Sequence, residues 1–576
     1  MKTFPYWRYL TIALIMGLVG AAIPVQIVRI QTNREVAGVL TRGEVYWKTF
    51  YPARGEIFDR YGNLLAGNKT VYEIDVDMTA NPDEQTIALA AQMALGMDPA
   101  SVHEKMTNAP KDASSIVLAN FVPSDQAKQL MDLKEKSKKD PTGHTLDAIH
   151  FIGQLVRSYP ENDLASTVIG YVTRKNIGYM GVEEKYDNIL AGVPVTALVS
   201  NDPHHALEYP HIPAGQSLIL TIDRRIQGSI EHILDDALVN TGSVSGTIIV
   251  MDPKTGEILG LSSTPRINLN DYSRVTEVFP GETPFDRAVS EAYEPGSVAK
   301  ILTMSAALDK GVVTPSTAYL DTGVINVGGS NIYDWDRGAW GYQDMTGCLA
   351  HSLNVCLAWV ATQTGSDDFY SYMQRFGIGH LTGIDLAGEV PGRLKLPGDS
   401  DWYPVDLGTN AFGQGVAITP IQMVMAASAL ANNGQMVYPH VVYARVQDGH
   451  QSKTSPQVVG APIKAETAQT MTNMLANALK NESSGALLPG YSIAGKTGTA
   501  QIPVPSGYDS ININASFIGW GPVDDPRFLV YVWLEKPQTN KAASVVAAPI
   551  FKEVVEKLVV LMGIPPDNIR LQKAGQ

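Results

Sequence analysis

Positive charge is the first thing in short supply. Lys and Arg number 44 against 58 Asp and Glu, a formal net charge of -14 at pH 7. Binding a phosphate backbone takes a basic surface, so nucleic acid is excluded as a partner. Charge of either sign is sparse, at 18% of residues against an ordinary ~25%, yet no segment reads as bulk disorder. There is no internal repeat, no low-complexity tract and no glycine-rich phosphate loop. Cysteine is nearly missing: only Cys348 and Cys356 occur, a usage that fits an oxidising compartment. Eight positions apart, they read as two small buried apolar residues, with a disulfide as the alternative. Histidines gather once, at His204, His205 and His211 in a Pro-bounded loop. That is too few convergent ligands for a metal, and a surface linker is the expectation.

The 576 residues exceed one ordinary core, and at ~100–200 residues per domain two or three domains are expected. One long apolar run exists, Tyr9 to Val28, with no charge inside it. At ~1.5 Å per residue it matches the ~30 Å hydrocarbon core of a bilayer. It is longer than the ~7–15 residues of a signal-peptide core, so an uncleaved anchor is expected; Gly20-Ala21-Ala22 leaves a cleaved signal as the alternative. Lys2 and Arg8 precede the run and Arg29, Arg34 and Arg42 follow it. The positive-inside rule therefore does not favour an outward C-terminus, and the large remainder is placed outside by its chemistry.

Arg54 to Ala66 reads as strand, turn, strand around Tyr61-Gly62-Asn63. Asp83 to Leu95 has helical spacing, Lys134 to Asp140 reads as a solvated loop or helix end, and Gly181 to Gly192 as one helix with an acidic start and a glycine stop. A second regime begins near Gly215. Ser217–Ile222 reads as a strand, Asp223–Leu238 as a helix and Gly246–Gly260 as a hairpin. Gly495–Ala500, Ser516–Trp520 and Arg527–Leu534 read as strands and Lys552–Met562 as a closing helix. Strands at both ends with helices between predict an α+β chain whose antiparallel sheet is assembled from distant segments and covered by helices.

Three short motifs carry chemistry. In Glu294-Pro295-Gly296-Ser297-Val298-Ala299-Lys300, Pro and Gly break the chain and an apolar helix follows. Ser297 then sits at a helix N-terminus with Lys300 three residues on, on the same face. A serine hydroxyl needs a base to become a nucleophile, and a buried lysine can be neutral enough to serve. Alone the pair is weak, since about two Ser-x-x-Lys arise by chance in a chain this long. Ser352-Leu353-Asn354 comes 55 residues after Ser297; Ser352 can relay a proton and Asn354 offers a donor and an acceptor to a peptide. Gly495-Lys496-Thr497-Gly498-Thr499 brings a positive charge and two hydroxyls for a carboxylate. Gly498 is expected to clear space for a substrate backbone against the strand.

The three motifs in this order resemble those of the class B penicillin-binding proteins. The resemblance covers nearly everything after the apolar run. Arg54–Ala66 is similar to that family's N-terminal signature, and Gly181-Val182-Glu183 with Tyr186-Asp187 to its pedestal motif. Phe412-Gly413-Gln414-Gly415 with Thr419-Pro420 is similar to its core motif. Ser516-Phe517, Pro522, Pro526-Arg527 and Ala548–Phe551 look most like the cell-division branch. Leu353 departs from the serine or aspartate of many relatives but leaves Ser352 and Asn354 in place.

The resemblance implies an α+β multidomain protein with an elongated pedestal and a β-lactamase-like transpeptidase domain. Residues 1–8 would be a cytoplasmic tail, 9–30 a single transmembrane anchor, 31–215 the non-catalytic pedestal and 216–576 the transpeptidase domain, on the extracytoplasmic side of the cell membrane. It implies Ser297 as nucleophile, Lys300 as base, Ser352 as proton relay, and Lys496, Thr497 and Thr499 around the terminal carboxylate of a D-alanyl-D-alanine stem peptide. Asn354 would hold the peptide amide, Gly498 would lie against the substrate, and the N–H groups of Ser297 and Thr499 would form the oxyanion hole. No metal or other cofactor is implied. β-Lactams would acylate Ser297, and a SEDS-type glycan polymerase with other divisome membrane proteins would be partners. The aromatic and acidic stretch Tyr333-Asp334-Trp335-Asp336, with Trp340 and Tyr342, either lines the donor cleft or forms a buried cluster. Three rival readings share parts of the pattern: an acyl-serine hydrolase (D,D-carboxypeptidase or β-lactamase), a β-lactam sensor, and a catalytically dead scaffold.

Overall fold

The computed structural model describes residues 13–14, 16–18, 20–26, 45–110, 113–139, 145–200, 212–279, 284–481, 484–505, 507–539 and 542–574. Of the expected apolar span, the described residues are helical. No helix among the described residues is long and apolar enough to cross a membrane. His204, His205 and His211 lie outside the described residues.

The chain forms two compact units, one of residues 1–53 with 191–215 and one of 54–190 with 216–576. In the first, Val45–Phe50 pairs antiparallel with Val195–Ser200.

Two large sheets dominate the second unit. One has seven strands, including Ile57–Phe58, Leu64–Asp77, Ser115–Pro123 and Ile149–Ser158. The expected turn after Arg54 is there: Asp59 accepts from the N–H groups of Tyr61 and Asn63. Ser217–Leu220 joins this sheet in parallel with Ile57–Phe58, and Val442–Gln447 joins it beyond. The expected helix at Gly181–Gly192 is two short ones, Gly181–Lys185 and Asp187–Leu190. Tyr186 breaks them, and its hydroxyl donates to Asp385 at 3.0 Å.

The other sheet positions the site. Its strands are β1 (Ser245–Met251), β2 (Ile258–Ser263), β3 (Ala494–Val504), β4 (Gly507–Gly521) and β5 (Phe528–Glu535), in the order β2-β1-β5-β4-β3. All its pairings are antiparallel. Side chains alternate across a strand, so a strand covered on both faces reads as a continuous apolar run. β5 shows this: Val530, Val532 and Leu534 pack with α1 (Arg224–Thr241) and α6 (Ala543–Leu561). Leu529, Tyr531 and Trp533 face the opposite core, which holds α2 (Lys300–Lys310), α3 (Asn354–Thr364), α4 (Pro420–Ala431) and α5 (Ala465–Asn481). The predicted closing helix is therefore α6, but it starts nine residues earlier than expected and is followed by Asp567–Ala574. β3 is left at the sheet edge, with alternate N–H groups pointing away from β4.

Candidate active site

Ser297 lies in a single 3-10 turn, Gly296–Ala299, that runs directly into α2. The turn is fixed from behind. Gly296 donates to the carbonyl of Gly413 at 3.1 Å. A Cβ on Gly413 would stand 2.2 Å from Gly296 O, so the Phe412–Gly415 loop needs glycine there to serve as the bed of the turn. The Glu294 carboxylate accepts from Gly415 N at 2.9 Å and locks the two segments together.

Lys300 is the first residue of α2 and is 0% exposed. Its Nζ donates to Ser352 O at 2.5 Å and Asn354 Oδ1 at 2.8 Å, and lies 3.2 Å from Ser352 Oγ. None of these bonds, among the described residues, goes to Ser297. Burial pushes the Lys300 pKa well below its usual value; the Lys496 ammonium pushes the same way, and Asp334 opposes. A neutral amine has two N–H groups and one lone pair. With the carbonyl and the amide oxygen taking the N–H groups, the lone pair of a neutral amine stays available as a proton acceptor, 3.2 Å from the Ser352 hydroxyl.

Ser352 joins the helix Met345–Ala350 to α3 in a left-handed conformation, φ 56°. That backbone turn, costly for a residue with a Cβ, directs its carbonyl at Lys300. Leu353 is fully buried in the core, which accounts for an apolar residue between two polar ones. The same turn folds the two helices back on each other and joins Cys348 to Cys356 in a disulfide, Cα to Cα 6.1 Å. This corrects the expectation of two unlinked apolar side chains. Spacing along the chain could not show it, because the turn brings the two positions within bridging distance.

Asp334 accepts from the N–H groups of Asn354 at 2.6 Å and Val355 at 3.1 Å, capping α3 at the motif itself. Sequence reading flagged its stretch but not this role. Around it, Tyr333, Trp335 and Tyr342 are exposed, so the stretch is not a buried aromatic cluster. Trp335 Nε1 donates to His351 O at 3.2 Å, and Trp340 stacks on His351.

Lys496, Thr497, Gly498 and Thr499 follow one another along β3. Lys496 Nζ donates to Thr497 Oγ1 at 3.2 Å. The Thr499 hydroxyl, on the exposed side, accepts from Ala543 N at 3.3 Å. The reason for Gly498 is different from the one expected. A Cβ there would meet Ser516 Oγ at 2.4 Å, Val298 Cγ1 at 2.8 Å and Pro295 O at 3.0 Å. Glycine lets the edge strand close on the serine turn; it does not make room for substrate. Gly296 meets the strand from the other side, where its Cβ would be 2.8 Å from Thr499 O.

The three motifs thus converge: a serine on a helix-entry turn, a buried amine wired to a second serine and an asparagine, and an edge strand carrying a cation and hydroxyls. Such a set can form and resolve an acyl ester, with the free N–H groups of turn and strand facing a developing oxyanion. Two family models match the chain, "Penicillin binding protein transpeptidase domain" over residues 246–556 and "Penicillin-binding Protein dimerisation domain" over residues 49–206. Stage V sporulation protein D of Bacillus subtilis is 31% identical over 542 residues, covering 92% of this chain and 81% of its own length. Peptidoglycan D,D-transpeptidase FtsI of Escherichia coli is 28% identical, covering 90% of this chain and 85% of its own. The crystal structure of penicillin-binding protein 2X from Streptococcus thermophilus shares the fold, with a TM-score of 0.76 at 22% identity over 90% of this chain and 81% of that one.

Proposed function

This chain belongs to the class B penicillin-binding proteins, and from that premise we propose how its residues divide the work. It is a serine-type peptidoglycan D,D-transpeptidase that cross-links stem peptides and is acylated by β-lactams.

Ser297 Oγ attacks the penultimate D-alanine carbonyl while neutral Lys300 takes its proton. The N–H groups of Ser297 and Thr499 hold the oxyanion. As the C–N bond breaks, the proton passes from Lys300 through Ser352 Oγ to the departing D-alanine amine. An acceptor amine then attacks the ester, and Ser297 recovers a proton as its oxygen leaves. Asn354 holds the peptide amide, and Lys496, Thr497 and Thr499 hold the terminal carboxylate until it departs. The observation that carries this reading is Lys300, wholly buried yet bonded to Ser352 and Asn354. That environment favours a neutral amine beside the proton relay.

The same reading places the chain as a single-pass protein of the cell membrane, catalytic domain outside, acting in septal wall synthesis beside a SEDS-type polymerase. The uncharged run Tyr9–Val28 supports an anchor. The disulfide supports an oxidising compartment. Similarity to peptidoglycan D,D-transpeptidase FtsI of Escherichia coli and to stage V sporulation protein D of Bacillus subtilis is consistent with the septal role.

The test is to supply uncross-linked pentapeptide glycan strands to the full chain and analyse the muropeptides. D-Alanine release with cross-linked dimers is expected. D-Alanine release with tetrapeptide monomers alone would make the protein a carboxypeptidase.

A further inference from the structure

A second carboxylate lies behind the Ser352-Leu353-Asn354 motif. Asp321 ends the strand Tyr319–Asp321 and is 1% exposed; Asp334 is 3% exposed. One oxygen of each is satisfied: Asp321 Oδ1 accepts from Gly323 N at 2.6 Å, and Asp334 Oδ1 takes the N–H groups of Asn354 and Val355. The other oxygen of each is buried without a donor among the described residues, and Asp321 is near enough to help raise the Asp334 pKa. Two carboxylates cannot both be charged at such a distance without water, and a buried acceptor with no donor is costly. A single proton between the two orphaned oxygens removes both difficulties.

We propose that Asp321 and Asp334 share one proton, and that this acid–carboxylate pair is a positioning device that holds Asn354 and Ser352 on Lys300. This rests on the assignment of Lys300 as base. With one proton between them the pair keeps a single negative charge, which caps α3 through Asp334 and faces Lys300. The titratable groups facing the pair are Lys300 from α2 and Tyr319 from the strand of Asp321. Burial, then Asp321, raises the Asp334 pKa to about 6. As pH rises through that value the proton leaves, the two charges repel, and added negative charge holds Lys300 in its protonated, inactive form. The pair therefore sets an alkaline limit on acylation, opposite in sign to the rise caused by Lys300 losing its own proton. A carboxyl whose pKa is raised on folding contributes stability at low pH that is lost as pH rises through the folded value.

The test uses the full-length chain, fluorescent penicillin and thermal melting from pH 5 to 8. Asp321→Asn replaces the shared proton with an amide N–H. Its acylation rate relative to the natural protein should climb about threefold or more across this range, and its melting temperature should gain on the natural protein over the same interval. Asp321→Ser, which also brings a donor, should follow it. Asp321→Ala, with no donor, should acylate more slowly at pH 5. Rate ratios and melting differences that stay flat with pH would overturn the shared proton, even if Lys300 proves to be the base. So would an asparagine variant that does not fold, because the amide is the isostere of the protonated acid. Acylation slowed by ~10²–10⁴ at every pH in Lys300→Ala tests the base assignment separately.

Discussion

At Lys300 burial and a neighbouring cation act in the same direction, and both favour the neutral amine. Acylation should therefore rise with pH through a value well below that of an ordinary lysine. Lys496→Ala removes the like charge, so that rise should move to higher pH, as stopped-flow acylation across pH will show. Lys300→Ala should slow acylation by ~10²–10⁴, the range of general-base effects. At Gly498 the matter is space. Gly498→Ala would press on Ser516, Val298 and Pro295, at a cost of ~1–3 kcal/mol for overpacking. A lower melting temperature with slower acylation is expected; an unchanged rate would mean the strand need not touch the serine turn. The helix and strand settings of the motifs holding Ser297, Lys300, Ser352, Asn354, Lys496, Thr497 and Thr499 could be read from sequence because each motif is short and its context is local. Asp321 and Asp334 were not legible. Their importance comes from burial and from capping a helix 20 residues further along the chain. Gly498 was legible as a missing side chain, but sequence does not say which atoms fill the space.

Elements show where local propensity loses to packing. α6 begins at Ala543 although Pro549 lies inside it, because Val546, Ala547, Ile550, Phe551 and Val554 are buried along it. An internal proline is accommodated when the helix has that much apolar surface to cover. The opposite happens at Tyr186, where one expected helix breaks as its hydroxyl reaches Asp385. The hairpin β1–β2 and the helix α1 appeared as read, since period and turn chemistry there agree with their packing. Next to the broken helix, Glu183 is fully buried and bridges Arg54 and Arg157, each at 2.7 Å. Glu183→Ala leaves two buried guanidinium groups without that partner, and breaking such a pair costs ~3–5 kcal/mol. Thermal melts should show a large drop; a shift no larger than that of an exposed ion pair would contradict the reading.

On the scale of the whole molecule, the sheet assembled from distant segments was legible because β1 and β2 near residue 250 and β3, β4 and β5 after residue 490 all carry strong strand signals. The disulfide was not, because chain spacing alone does not reveal a fold-back at Ser352. Intact mass without reductant should fall short of the fully reduced value by two hydrogens, and thiol reagents should label neither cysteine until the protein is reduced. The expected anchor has its own check. The full chain should stay with membranes through alkaline carbonate, and removing residues 1–30 should release it.

The most direct measurement is the mass of the full-length protein after exposure to a penicillin, followed by mapping of the modified peptide. One stable penicilloyl adduct on Ser297, absent in Ser297→Ala, is the expected result. An adduct on another residue, rapid turnover to hydrolysed drug, or no adduct at all would contradict the proposed transpeptidase mechanism.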